Sequence, residues 1–435
     1  MSKPQKYAFI LIGGISPISR RSAFLAALQE RELEILVIDD PENEHLLRCA
    51  QAEGKMEAAK LPAIADALIV QPEQIDDMLL KVSEWRKNYC IQGLFCLHEP
   101  MVESASVIAD YLGVPHPGLR AGRVTRNKAL QRMWFPRWSP RWLLAAPSKV
   151  EPAAIIDQVP FPLVIKPLNQ HSSRDVVRVD NAQALSNVLT HHDHYSRLLF
   201  EQIVVGQEVS VETLIQRRRV IFNSITRKRT NEKQSQYFVE MGHQVPALLC
   251  DLQEHAILEV NNQILSKIGF EDGIAHGEYR ITLDGDVMLM EIAARSPGCS
   301  ILELYYLATG SRMEDTIIDI ALGRQGHYPK PTRVARQVYL EHEECTLADV
   351  AIEFAEDVDI AWLTCGAYHP PRQIDADEKA AKVRQVQILK RRGDALGPIK
   401  SSSDRAVTFL MDGPTVEDLD RLERTARTAI RLIMI

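Results

Sequence analysis

The sequence predicts a mixed α/β and α+β protein in three parts: an α/β unit on a parallel sheet, an α+β unit on an antiparallel sheet, and an α+β extension. Three observations carry that reading. Between Tyr7 and Glu99, continuous apolar runs alternate with helix-spaced segments, the pattern of parallel strands covered on both faces. From Phe161 the chain becomes strand-rich, as in "GQEVSVETLIQ" and "RVIFNSITRK", which suits antiparallel pairing. After "GHYPKP", strands such as "RQVYLEHEE" and "RAVTFLMDG" return, and "TVEDLDRLERTARTAIRLI" predicts a closing amphipathic helix. At 435 residues the chain exceeds one ordinary domain. Boundaries are expected at 1–120, 121–328 and 329–435.

In the first part, strands are expected at Tyr7 to Gly14, Leu33 to Asp40, Ala65 to Val70 and Ile91 to Glu99. Helices are expected in "ISRRSAFLAALQERE" and near 73–87 and 100–112. A parallel sheet binds ligands at the carboxyl ends of its strands, here marked by Gly13, Gly14, Asp39, Asp40, His98 and Glu99. The link "GVPHPGLRAGRVTRNKALQRMW" leads into a basic helix from about Arg123. In the second part, helices at about 182–190 and 251–268 interrupt the strands.

Composition excludes several classes. A net charge of -7 argues against a protein that works by neutralising nucleic-acid phosphates. The seven cysteines show no C-x-x-C and no paired spacing, so a reduced chain without disulfides or structural zinc is expected. The amino-terminal stretch lacks the features of a signal peptide and no apolar run reaches membrane-spanning length. A cytoplasmic protein without membrane contact is the expectation.

The segment "GIAHGEYRITLDGDVMLMEIAARSPG" concentrates the chemistry. It reads as two strands around the tight turn Leu283 to Asp286, folded so that Glu278 and Glu291 share a face. Paired carboxylates repel unless a cation stands between them. With Arg295 four residues on, the set suits Mg²⁺ and a polyphosphate. Upstream, Lys166 ends the apolar strand "FPLVIKP", and the loop 169–175 follows with Ser172 and Ser173. A terminal ammonium and loop amides can wrap phosphate oxygens; equally, such a lysine can snorkel to water. Glu201 and Glu208 flank a turn at Gly206, where backbone groups of Gln202, Ile203 and Val204 could meet a purine and a carboxylate could accept ribose hydroxyls. Lys128 stands on the basic helix.

In this order and spacing, Lys128, Lys166, Glu201/Glu208, Glu278/Glu291 and Arg295 resemble the ATP-grasp superfamily from Gly13 to roughly Gly310. The resemblance implies the ATP-grasp fold, with a pre-ATP-grasp α/β domain, a central ATP-binding domain and a C-terminal extension. It implies that Lys128 and Lys166 hold ATP phosphates, that the Glu201–Glu208 hinge takes adenosine, and that Glu278 and Glu291 bind one or two Mg²⁺ ions, with Mn²⁺ as a substitute. Arg295 would stabilise the transferring phosphoryl group.

Within that superfamily the chain looks most like the carboxylate–amine ligases that join amino acids through an acyl-phosphate, in the manner of dipeptide and secondary-metabolite synthesis. Glu99 corresponds to a carboxylate that meets a substrate amino group, and His243 to a histidine near the reacting groups. Arg227 could reach a substrate carboxylate or sit on a solvated loop. Where many members carry an asparagine as a further metal ligand, this chain has Ala293. Small amino-acid substrates are implied as partners, and a homodimer is compatible. The alternatives are an ATP-grasp carboxylase or purine-pathway-type ligase acting on bicarbonate or another small acid, and a nucleotide-binding regulatory protein.

Overall fold

The computed structural model describes residues 6–13, 22–43, 64–168, 175–232, 235–354, 358–363, 371 and 378–435. Strands β1 (Lys6–Ile12), β2 (Glu34–Asp39), β3 (Ile64–Ile69) and β4 (Tyr89–Cys96) form a parallel sheet in the order β3-β2-β1-β4. Its helices are α1 (Ser22–Gln29), α2 (Ile75–Trp85) and α3 (Val102–Leu112). Five consecutive residues of β1, Ala8 to Ile12, are fully buried. Ala8, Ile10 and Ile12 enter one apolar cluster, while Phe9 and Leu11 enter another. A continuous apolar run thus serves both faces of a sheet covered on each side.

The expected basic helix divides into α4 (Leu119–Thr125) and α5 (Lys128–Trp134). Asn127 breaks it: its side chain accepts from Leu130 N at 3.1 Å and caps α5. Beyond lie β5 (Trp142–Ala145), α6 (Pro152–Gln158), β6 (Leu163–Pro167), β7 (Val177–Val179), α7 (Ala182–His191) and β8 (Leu198–Gln202). Their strands form an antiparallel sheet in the order β5-β8-β6-β7.

The main sheet starts with β9 (Gly206–Gln216), β10 (Arg219–Thr230) and β11 (Glu240–Val245). After α8 (Asp251–Ile268) come β12 (Gly273–Thr282) and β13 (Val287–Ala293), then α9 (Ile301–Thr309), α10 (Met313–Ala321) and β14 (Val334–Tyr339). The remaining elements are β15 (Cys345–Ile352), β16 (Asp359–Trp362), β17 (Lys382–Ile388), β18 (Ala395–Leu396), β19 (Val407–Gly413), α11 (Val416–Ala429) and β20 (Ile430–Met434). One nine-stranded sheet runs β13-β12-β9-β10-β11-β14-β19-β17-β16. The C-terminal strands β14, β19, β17 and β16 therefore extend the same sheet as the central unit.

The closing helix is shorter than its sequence pattern suggested. It stops at Ala429, and Ile430–Met434 pairs with β15 as an antiparallel strand. The bulky and β-branched residues there gain ladder bonds and bury Ile430. No helix among the described residues is long and apolar enough to cross a membrane.

Candidate active site: a charged cleft on the nine-stranded sheet

The β12–β13 hairpin closes through Thr282 N–H to Asp286 O at 2.9 Å and Gly285 N–H to Thr282 O at 3.1 Å. Gly285 takes φ +88°, in the region that favours glycine. This turn fixes a register in which Glu278 lies directly opposite Glu291. Side chains of paired residues share a face. Following the pairing outward, His276, Glu278 and Arg280 lie beside Glu212, Ser210 and Glu208 of β9. Thr226 pairs with Ser210, Lys228 with His243, and His243 with Gln337. A polar stripe therefore crosses one face of six strands. On the opposite face Tyr279, Val209, Val211 and Leu289 join an apolar core.

Each of the two facing glutamates has its own cation. Lys128 Nζ donates to Glu291 Oε1 at 3.1 Å. Glu278 Oε1 accepts from Lys228 Nζ and from His276 Nε2, the latter at 3.1 Å. Burial by itself would raise the Glu278 pKa, but Lys228 and His276 outweigh it and hold the group well below the usual carboxylate range. The Lys228 side chain is only 1% exposed and also donates to Glu240. Burial opposes its charge, yet Glu240 and Glu278 push its pKa well above the ordinary value. His276 is braced from behind: its Nδ1 bonds to buried Glu212 Oε1 at 2.9 Å. Glu212 also accepts from Ser210 Oγ at 2.8 Å and Tyr305 Oη at 3.0 Å. Burial disfavours the imidazolium, but bonds to Glu212 and Glu278 raise the His276 pKa.

Two further ion-pair groups border the stripe. Glu99 does not end β4 as expected but opens the short 3-10 helix Glu99–Met101 that follows it; it accepts from Arg295 Nε and from Arg126 Nη1, the latter at 3.0 Å. Glu201 is 1% exposed, between Arg132 Nε and Lys166 Nζ, with the lysine at 2.7 Å. Burial would raise the Glu201 pKa; Arg132 and Lys166 instead bring it down to about 2. At the hinge, Arg280 binds Glu208 Oε2 at 2.6 Å, Glu232 Oε2 at 2.6 Å and Val204 O at 2.9 Å. Gln202 N–H bonds to Arg141 O at 2.9 Å.

A cavity of about 270 Å³ opens over these groups. Of the residues singled out from the sequence, Lys128, Lys166, Glu201, Gln202, Ile203, Val204, Glu208, Glu278, Glu291 and Arg295 line it. Ala293 lines it too, without a donor atom. Glu99 stands behind Arg295. His243 lies beneath the cavity, its side chain fully buried, with Nδ1 3.2 Å from Gln337 Oε1 and Nε2 3.4 Å from Glu240 Oε2. Arg227 falls outside the cluster: strand alternation turns it to the face opposite Lys228, where it is exposed. Ser172, Ser173 and Gly14 lie outside the described residues.

Sequence reasoning missed Glu240, His276, Phe238, Arg280, Cys299, Ser402 and Arg405, all of which line the cavity. It also missed Lys228 beneath them. His276 and Arg280 had a legible signal, since each stands two residues from Glu278 on an alternating strand. Ser402 and Arg405 had none, because a turn and the start of β19 bring them in from over a hundred residues away.

The donor set fits a nucleotide with a hard cation. Val164, Val176, Ile203, Phe238 and Met290 offer apolar walls near the hinge. Lys128, Lys166 and Arg295 supply positive charge, and Glu278 and Glu291 present carboxylate oxygens side by side. Lys128 meets Glu291 at Oε1, and Lys228 and His276 meet Glu278 at Oε1. Oxygen donors of this kind suit Mg²⁺.

Comparison with known proteins bears on the same residues. Residues 159–302 match the family described as the ATP-grasp domain. A D-alanine--D-alanine ligase from Francisella philomiragia subsp. philomiragia is 24% identical over 232 residues, covering 51% of this chain and 74% of that protein. Among solved structures, an L-amino acid ligase from Bacillus licheniformis shares the fold with a TM-score of 0.75, at 19% identity over 100% of both chains. A phosphoribosylglycinamide synthetase from Anaerococcus prevotii gives 0.67, at 12% identity over 99% of this chain and 100% of that one.

Proposed function

We propose, on the premise that this chain carries an ATP-grasp domain and is an ATP-dependent ligase forming C–N bonds, that it joins two small substrates as an amide. One is an amino acid or related carboxylic acid; the other is an amino acid that supplies the amine. The reaction runs through an acyl-phosphate and releases ADP and phosphate. The observation that carries this reading is the register pairing of Glu278 with Glu291 beside Arg295 and Lys128.

Lys128 and Lys166 supply fixed positive charge for the phosphates. Glu278 and Glu291 are the residues that would hold Mg²⁺, which when bound neutralises phosphoryl oxygens during in-line transfer. Lys228 and His276 keep Glu278 ionised and oriented, so that the carboxylate is ready at neutral pH. Arg295, held by Glu99, faces the developing charge on the carboxylate being activated. In this geometry Glu99 acts through Arg295 as a positioning residue, and His243 acts through Glu240. Apolar walls around the hinge exclude water, which would hydrolyse an acyl-phosphate.

The test is phosphate release from ATP and Mg²⁺ by the purified full chain, over pairs of amino acids. Release is expected only when both an acid and an amine partner are present. Release that ignores the amine, or that requires bicarbonate and no amino acid, overturns the proposal; the bicarbonate result selects a carboxylase-type reaction instead.

A further inference from the structure

Arg405 enters the cavity from the turn before β19 and is 6% exposed. Its Nε donates to Ser402 O at 2.9 Å and its Nη1 to Glu240 O at 2.9 Å. Both terminal nitrogens lie 3.6 Å from Cys299 Sγ, and the guanidinium stacks 3.9 Å from the centre of the Tyr339 ring. Every one of these partners is formally neutral. Burial pushes the Cys299 thiol up from its ordinary value even with Arg405 beside it, so the sulfur does not serve as a counter-anion.

The contrast with neighbouring arginines is direct. Arg132 pairs with Glu201, Arg280 with Glu208 and Glu232, and Arg295 with Glu99. Among the described residues, Arg405 has no carboxylate within ion-pair distance. The Glu240 carboxylate acts on it only from beyond ion-pair distance, and a buried guanidinium without a direct anionic partner is costly unless a ligand supplies one. Two backbone carbonyls and an aromatic face hold its plane, so the fork is already oriented for a bidentate oxyanion.

We propose that Arg405 binds the α-carboxylate of the amino acid that supplies the attacking amine, an inference resting on the ligase reading above. Lys128 and Arg295 lie by the hairpin carboxylates and Lys166 by Glu201; in this reading they serve the phosphates and the carboxylate under activation. Gly298, Cys299, Ser402 and Arg405 also line the cavity, and Arg405 is the cation among them. The acceptor's carboxylate does not react, and needs only a fixed partner that aims the amine. The substrate class is therefore a free α-amino acid rather than an amine without a carboxylate. The C-terminal extension gains a role as the reader of that group.

The test compares wild type, Arg405→Gln and Arg405→Lys on whichever amino-acid pair wild type turns over. Arg405→Gln is expected to raise the acceptor KM about ten- to a hundredfold, with the KM for ATP changed less than about twofold. Arg405→Lys should recover part of the loss. The acceptor's α-amide, which lacks the anion, should be as poor for wild type as the free acid is for Arg405→Gln. An unchanged acceptor KM, or equal losses for acid and amide, overturns the assignment. Melting temperatures of the variants separate misfolding from lost recognition. If no pair is turned over by wild type, the ligase reading itself falls. The carboxylate site is then judged by melting with ADP, Mg²⁺ and L-amino acids against their α-amides. Stabilisation by the acids that vanishes in Arg405→Gln supports the site, and none in wild type overturns it.

Discussion

Glu99 and Arg295 form an ion pair that ties the short helix after β4 to the segment just beyond the β12–β13 hairpin. Burial would raise the Glu99 pKa, but Arg295 and Arg126 bring it down to about 2, so the carboxylate is ionised throughout the neutral range. Glu99→Gln should keep the shape and remove the charge that orients Arg295. A fall in kcat of about ten- to a hundredfold, with little change in the KM for ATP, is expected from steady-state kinetics.

Glu291→Gln removes one of the two paired carboxylates. The expected result is a loss of about a hundred- to a thousandfold in kcat, together with a higher Mg²⁺ requirement. Titration of phosphate release against Mg²⁺ checks it. An unaltered metal requirement would remove Glu291 from the proposed cation site.

Lys228→Met leaves Glu240 and Glu278 without the ammonium they share. Breaking such a buried arrangement costs about 3–5 kcal/mol. Urea unfolding should show this loss, and Mg²⁺ should stabilise the variant more than wild type, because a cation can replace the missing charge.

Acid stability should report on Glu201. Its folded pKa lies near 2 against an ordinary value of 4.5. A depressed carboxylate contributes stability that is fully present above the unfolded pKa and fades as pH falls through the folded one. Wild type should therefore lose stability between about pH 4.5 and about pH 2, and by roughly 3 kcal/mol from this group. Glu201→Gln should flatten that part of the profile, measured by urea midpoints at successive pH values.

Much of the frame was legible because strand periodicity is local. The apolar runs of β1, β2 and β4 and the Gly285 turn declared themselves, and with the turn came the facing of Glu278 and Glu291. Alternation could also have separated Arg227 from Lys228, since one-residue steps on a strand change face. What no local pattern carries is non-neighbouring pairing. Nothing in "RQVYLEHEE" announces that β14 bonds to β11, and nothing near Ser402 announces the cleft. The final strand, Ile430–Met434, followed helical spacing in sequence but was decided by its partner β15.

The continuity of the nine-stranded sheet has a consequence for how this chain could be shortened. β11 has β10 on one side and β14 on the other. A chain ending before Val334 would leave β11 as a raw seam of unpaired amides, inviting self-association of copies. The last hundred residues thus behave less like an appendage than like a selvedge, the finished border that keeps the woven face bearing Lys228 and His243 from fraying.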